Sequence, residues 1–182
     1  MGKPDPIPAS LYITQLVEPL AARLSLRTLP SHAHEVLLGF LWYHFIYHIL
    51  SPLLSRLLLP RRYPAFPSRT RINWDIHVVS LIQSLSINTA ALYVIWVDDE
   101  RRNLDWRGRL WAYSPLTGMV QGFAAGYFLW DVQVSLQTLS VSGVGAVVHA
   151  VGALTVTCIG FVSSISQFLR FCGMQRPWMW IC

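Results

Sequence analysis

Apolar residues follow one another along this chain in runs of about twenty, and the charged side chains stand mainly between the runs. Residues 36–55 and 76–97 contain no charged side chain, and between Leu110 and Leu169 the only one is Asp131. A helix needs roughly 20 apolar residues to cross the hydrocarbon core of a bilayer. The pattern therefore predicts an all-α fold, a polytopic membrane helix bundle with four or five spans.

The bounds of the apolar runs predict the domain organisation. Four spans are expected, at about 36–59, 74–97, 116–139 and 143–161. Together they form a bundle domain over 34–161, with a bend near Pro52 in the first span.

The ends of the chain differ from this bundle. Residues 1–33 begin with several prolines and then place apolar side chains at helical spacing around arginines, which predicts an amphipathic helix at the membrane interface. Residues 162–182 form an atypical tail.

Composition supports the same class of protein. Of the 182 residues, 53% are hydrophobic and 13% are charged, whereas about 25% are charged in ordinary soluble domains. A soluble domain of this composition would expose large apolar patches. The net charge of +5 is carried mostly by arginines just outside the apolar runs, where they suit phospholipid headgroups. Membrane lipids are therefore the expected partners, with no nucleic acid and no cofactor.

Each predicted span carries one polar face. At 100° per residue, the histidines, serines and other polar residues of a span fall on a common side of its helix. A bundle that turns these faces inward would enclose a polar cavity that lipid could enter. The residues expected to line it are His77, Ser84, Asn88, Tyr127, Asp131, Ser135 and His149.

Asp131 and His149 are the candidate catalytic residues. A carboxylate in the middle of a membrane helix is costly, so it is a candidate for function unless a structural partner explains it. On the opposite face of the same span, Gly118, Gly122 and Gly126 form a double GxxxG pattern. Such a face packs closely against another helix, and it could also bind another membrane protein.

A metal site is not expected. His44 and His48 stand four residues apart, but the position after His44 is Phe45, where a zinc protease motif requires Glu.

Three segments resemble a known family. They are RINWDIHVVSLIQS at 71–84, GYFLWDVQVSLQ at 126–137 and VGAVVHAVGAL at 144–154. In this order they resemble the successive signatures of the TLC domain, which ceramide synthases share with lipid-linked TLC domain-containing proteins. The resemblance covers about 34–161, and fungal TLC domain-containing proteins look most similar.

The resemblance implies an integral membrane protein, expected in the endoplasmic reticulum, with a lipid-accessible cavity. In ceramide synthases a His-His pair supports acyl transfer, and here the first of the pair would be His149. Ala150 follows it, so the pair is broken, and this favours a protein that is not an enzyme. The leading function is lipid handling or membrane lipid homeostasis. The alternatives are a lipid acyltransferase of the ceramide-synthase class and a structural membrane subunit.

The resemblance also creates an expectation about the end of the chain. Family members continue past this point with further spans, whereas residues 162–182 do not resemble them. A C-terminal truncation or a frame-shifted form is therefore expected. The lipid, the orientation in the membrane and the oligomeric state are left open by the sequence.

Overall fold

The computed structural model describes residues 7–98, 103, 105 and 113–162. Within these residues the chain forms helices and turns and no strand, which confirms the predicted all-α fold. The expected atypical tail lies almost wholly outside the described residues. The start of the Pro-rich N-terminal segment also lies outside them. The helices are α1 (Leu11–Arg23), α2 (Leu29–Phe45), α3 (Ser51–Leu58), α4 (Ser68–Val97), α5 (Pro115–Gln137) and α6 (Leu139–Ile159).

Helices α2 and α3 belong to one long helix, and the π-helical turn at Ile46–Leu50 joins them. Pro52 has no N–H group, so the regular hydrogen-bond pattern fails where it enters the helix. The N–H of Ser51 instead donates to the carbonyl of Ile46, five residues back. The irregularity therefore lies beside the proline at which the sequence predicts a bend.

Three of the helical segments that the structure describes are long and apolar enough to cross a membrane: Leu29–Leu58, Ser68–Val97 and Leu139–Ile159. They correspond to the first, second and fourth predicted spans. The third predicted span is α5, which has 23 residues but is not among the three. It contains Asp131 and several glutamines, and it is the helix with the most buried residues. Since α5 faces other helices more than lipid, polar residues can be accommodated along it.

Helix α5 lies at the centre of the bundle, between α2 and α6 and beside α4. Its contacts with α2 run in the same direction along both helices, because Gly118 lies against His32 and Gly126 lies against Val36. The two helices are therefore parallel. Gln121 of α5 donates to the carbonyl of Thr157 near the end of α6, which makes α6 antiparallel to α5.

The main hydrophobic core lies where α2, the π-helical turn, α4 and α5 meet. Its buried members are mostly aromatic and β-branched, and Trp130 and Ile46 have no exposed surface. They are Tyr43, Ile46, Val79, Tyr127, Trp130 and Val134. A smaller cluster joins α1, α5 and the end of α6 around Ala21, Ala125 and Phe161.

The turn from α5 to α6 is very short. The hydroxyl of Thr138 donates to the carbonyl of Val134, and Gly143 within α6 has a φ of 78°. A side chain is strained at such a φ, so glycine permits the kink that breaks the first turn of α6. Regular helix resumes after Gly143, which is where the sequence places the start of the fourth span.

Candidate functional site

Helix α5 positions most of the predicted site residues. Its N-cap is Ser114, whose hydroxyl accepts a hydrogen bond from the N–H of Thr117, and Pro115 is its first residue. Tyr127 is buried on this helix, and its hydroxyl donates to Ser80 on α4 at 3.0 Å. This hydrogen bond connects the polar face of α5 to that of α4.

Asp131 and His149 lie on neighbouring helices, α5 and α6. Asp131 is half-buried and interacts electrostatically with His149, and Ser135 lies one turn further along α5 within reach of the carboxylate. His149 is exposed on the outer side of α6. A carboxylate and an imidazole on neighbouring helices can hold a polar group of a ligand.

The predicted residues of α4 lie elsewhere. His77, Ser84 and Asn88 are exposed, and each side chain hydrogen-bonds a backbone carbonyl four residues back in its own helix. This local bonding satisfies polar groups without a partner on another helix. That all seven residues line one cavity therefore stays a prediction.

The glycines of α5 form the surface that α2 contacts. All three are buried. A methyl group on Gly126 would stand 2.5 Å from the carbonyl oxygen of Val36, and one on Gly122 would stand 3.0 Å from Cβ of Glu35. Gly118 similarly leaves room for the ring of His32. The GxxxG face is thus occupied by a helix of the same chain.

An apolar pocket of about 260 Å³ opens between α2, α4 and α5. Ile87, Ala90, Val120 and Phe123 contribute apolar walls. Trp42 also lines the pocket and is 47% exposed, so the pocket reaches the outer surface of the bundle. None of the seven residues predicted to line a cavity belongs to this lining.

The polar groups in this pocket are few and uncharged. Tyr43 donates a hydrogen bond to the side-chain carbonyl of Gln83, and Ser86 lies nearby in the lining. A pocket that is mostly apolar with a few polar groups is typical of sites for small lipophilic ligands.

One buried carboxylate was not expected from the sequence pattern. It connects α4 to α3 and to the turn between these two helices. Asp75 on α4 accepts hydrogen bonds from the hydroxyls of Ser51, at 2.6 Å, and Tyr63, at 2.8 Å. Burial raises the pKa of Tyr63 to about 12, and the hydrogen bond and charge of Asp75 act in the same direction. Asp75 lies within the segment that resembles the TLC signature, which is the signal that could have drawn attention to it.

A second missed cluster lies at the start of α2, where His32 and Glu35 are both fully buried. Their spacing of three residues places both side chains on one face of a helix, and this spacing was visible in the sequence. In the part of the chain that the structure describes, no group of three or more His, Cys, Asp or Glu residues is suited to a metal ion.

These features define a helical membrane protein whose bundle contains buried polar groups and an apolar pocket. The chain belongs to the TLC domain family, whose domain matches residues 73–174. It is 34% identical over 151 residues to an uncharacterized TLC domain-containing protein of Schizosaccharomyces pombe, covering 83% of this chain and 50% of that protein. The family predicted from the resemblance to the TLC signatures is therefore confirmed.

A second relative is topoisomerase I damage affected protein 4 of Saccharomyces cerevisiae. It is 25% identical over 150 residues, which is 82% of this chain and 48% of that protein. The chain thus spans about half the length of both curated relatives. No solved structure matches it.

Proposed function

We propose that this protein handles membrane lipids and contributes to membrane lipid homeostasis, in the membrane of the endoplasmic reticulum. The observation that carries the proposal is the apolar pocket between α2, α4 and α5, which reaches the surface of the bundle beside Trp42. Its volume of about 260 Å³ is enough for part of an acyl chain rather than a whole lipid.

Asp131 and His149 supply the polar part of the proposed site. They lie between α5 and α6, whereas the pocket is lined by earlier residues of α5, namely Met119, Val120 and Phe123. Because a carboxylate is costly among apolar helices, its presence near an exposed histidine favours a role in contacting a polar group.

The experiment is a lipid profile of cells that lack the endogenous gene and are complemented with variants. Ala90→Phe fills the pocket, and Asp131→Ala removes the carboxylate while leaving a good helix former. Both variants are expected to insert into the membrane and to give the profile of the uncomplemented cells.

The matched controls lie on the same two helices. Ala91→Phe changes an exposed neighbour of Ala90, and Gln137→Ala changes an exposed polar residue of α5. Both controls should restore the wild-type profile. If Ala90→Phe and Asp131→Ala restore it equally well at equal protein abundance, the proposal fails.

A lipid acyltransferase is the second candidate, because the Asp131–His149 interaction could serve a base and the residue that orients it. Ala150 is fully buried, and the resemblance to ceramide synthases would place a second histidine at this position. His149→Asn separates the two candidates. In an assay of acyl transfer by the purified protein, an enzyme should lose its activity in this variant, whereas a protein that only binds lipid should show none with or without His149.

A further inference from the structure

The apolar pocket between α2, α4 and α5 contains one polar side chain that is almost fully buried. Gln83 lines the pocket and is 5% exposed. Its side-chain carbonyl accepts a hydrogen bond from Tyr43, whereas its NH₂ group donates to none of the residues that the structure describes. The amide nitrogen is not enclosed by protein atoms, so it borders the open space of the pocket. The NH₂ group is therefore the part of this amide that a ligand can use.

Ser86 supplies a second donor to the same pocket. The hydroxyls of Ser80 and Ser84 donate to the carbonyls four residues back in α4, which satisfies them locally. Over the described part of the chain, Ser86 makes no such bond. Since residues three apart share a face of a helix, Gln83 and Ser86 are on the same side of α4. The pocket thus offers donors, and a ligand should bring an acceptor.

The lining of the pocket restricts the kind of acceptor. It contains no charged residue, so an ionised ligand group would lose its water there without gaining a counter-charge. A carbonyl oxygen is uncharged and has two lone pairs, which can accept from two donors. A hydroxyl or an amide would bring a donor of its own, which the apolar walls could not satisfy. A carbonyl therefore fits this lining best.

The depth of the pocket restricts the class of lipid. Gln83 lies in the middle of α4, about 21–22 Å from each end of this helix at 1.5 Å per residue. Trp42 lies near the middle of Leu29–Leu58, which is also long enough to span the membrane. A charged headgroup at such a depth is costly, so a phospholipid keeps its headgroup and the adjoining esters near the interface. A lipid without a charged headgroup can bring a carbonyl to this level.

We propose that the pocket binds the ester carbonyl of an uncharged lipid, with Gln83 as the main donor and Ser86 as a second. The lipid enters from the hydrocarbon core beside Trp42, where the pocket reaches the outer surface of the bundle. This inference rests on the lipid-handling function proposed above, and it names the class of lipid that the pocket takes.

Competition binding in nanodiscs tests the preference for an uncharged ester. The purified full chain is placed in nanodiscs of dioleoyl phosphatidylcholine, whose own esters are in large excess but carry a charged headgroup. Tritiated methyl stearate is the labelled probe, and nanodiscs without protein give the background. Unlabelled methyl stearate should displace the label at least about fivefold more effectively than eicosane, a hydrocarbon of the same chain length.

Variants of α4 assign the preference to Gln83. Gln83→Leu removes the amide and should bring the two competitors within about twofold of each other. It also leaves the hydroxyl of Tyr43 without its acceptor, so Gln83→Leu combined with Tyr43→Phe removes both groups and should give the same result. Thr89→Leu changes an exposed polar residue of the same helix and should keep the wild-type ratio.

Ala90→Phe separates this inference from the function on which it rests. It fills the pocket and should remove the saturable binding of methyl stearate, whereas Ala91→Phe should keep it. Wild-type binding by Ala90→Phe would mean that lipid binds elsewhere, and both proposals would fail.

Other outcomes overturn the ester assignment alone. If Ala90→Phe loses binding but eicosane competes with the wild-type protein as well as methyl stearate does, the pocket takes hydrocarbon chains without reading the carbonyl. A preference for the ester that persists in the folded double variant would equally exclude Gln83 as its donor.

Discussion

Gly126 occupies the closest approach between α5 and α2, and its replacement by alanine tests the packing directly. The added methyl group would stand 2.5 Å from the carbonyl oxygen of Val36, 2.7 Å from the amide nitrogen of Phe40 and 3.0 Å from the carbonyl carbon of Gly39. All three are backbone atoms, which cannot rotate away as a side chain can. The two helices must separate to admit the methyl group.

The expected magnitude follows from two opposing terms. Alanine improves the helix propensity of the position by about 1 kcal/mol, whereas overpacking of a close contact costs about 1–3 kcal/mol. Gly152→Ala on α6 carries only the first term, because nothing lies within 4 Å of the methyl group that it adds, so the difference between the two variants isolates the second. Since both variants gain the same propensity, Gly126→Ala should be less stable than Gly152→Ala by about 1–3 kcal/mol.

The assay is thermal unfolding of the purified proteins in one detergent, followed by tryptophan fluorescence. Trp130 is fully buried in the core next to this contact and reports its loss. Gly152→Ala should melt at or above the wild-type temperature and Gly126→Ala clearly below it. Equal melting temperatures for the two glycine variants would refute the close packing of α2 against α5.

Two further outcomes follow from other parts of the molecule. Because the pKa of folded Tyr63 is about 12 and its ordinary value is 10.0, its neutral form stabilises the fold fully below pH 10, and this contribution is lost as the pH rises through about 12. Asp75→Asn should lower that pKa, as measured by phenolate absorbance; an unchanged titration would contradict the geometry of this cluster. The protein should stay in membranes through an alkaline carbonate wash and require detergent for release, and its recovery in the wash would refute membrane insertion.

Features within a single helix could be predicted from the sequence. The apolar runs predict the helices, because backbone polar groups in lipid must be satisfied inside the segment that contains them. The period of 3.6 residues places Gly118, Gly122 and Gly126 on one face of α5 and Asp131 on another. The segments that resemble the TLC signatures likewise predict the family that the comparisons confirm.

The residues that these helix faces contact could not be predicted from the sequence. Tyr113 meets His32 across 81 positions, and Tyr43 meets Gln83 across 40. No local spacing rule links residues so far apart, because their contact depends on which helices become neighbours.

Only the tertiary structure decided which polar residues face inward. His77, Ser84 and Asn88 share a helical face, as the spacing predicts, yet each bonds its own backbone on the outside of α4. The direction of a face is set by the rotation of its helix against its neighbours. That rotation follows from the packing of whole surfaces, such as α2 against the glycines of α5, and not from the sequence of one helix.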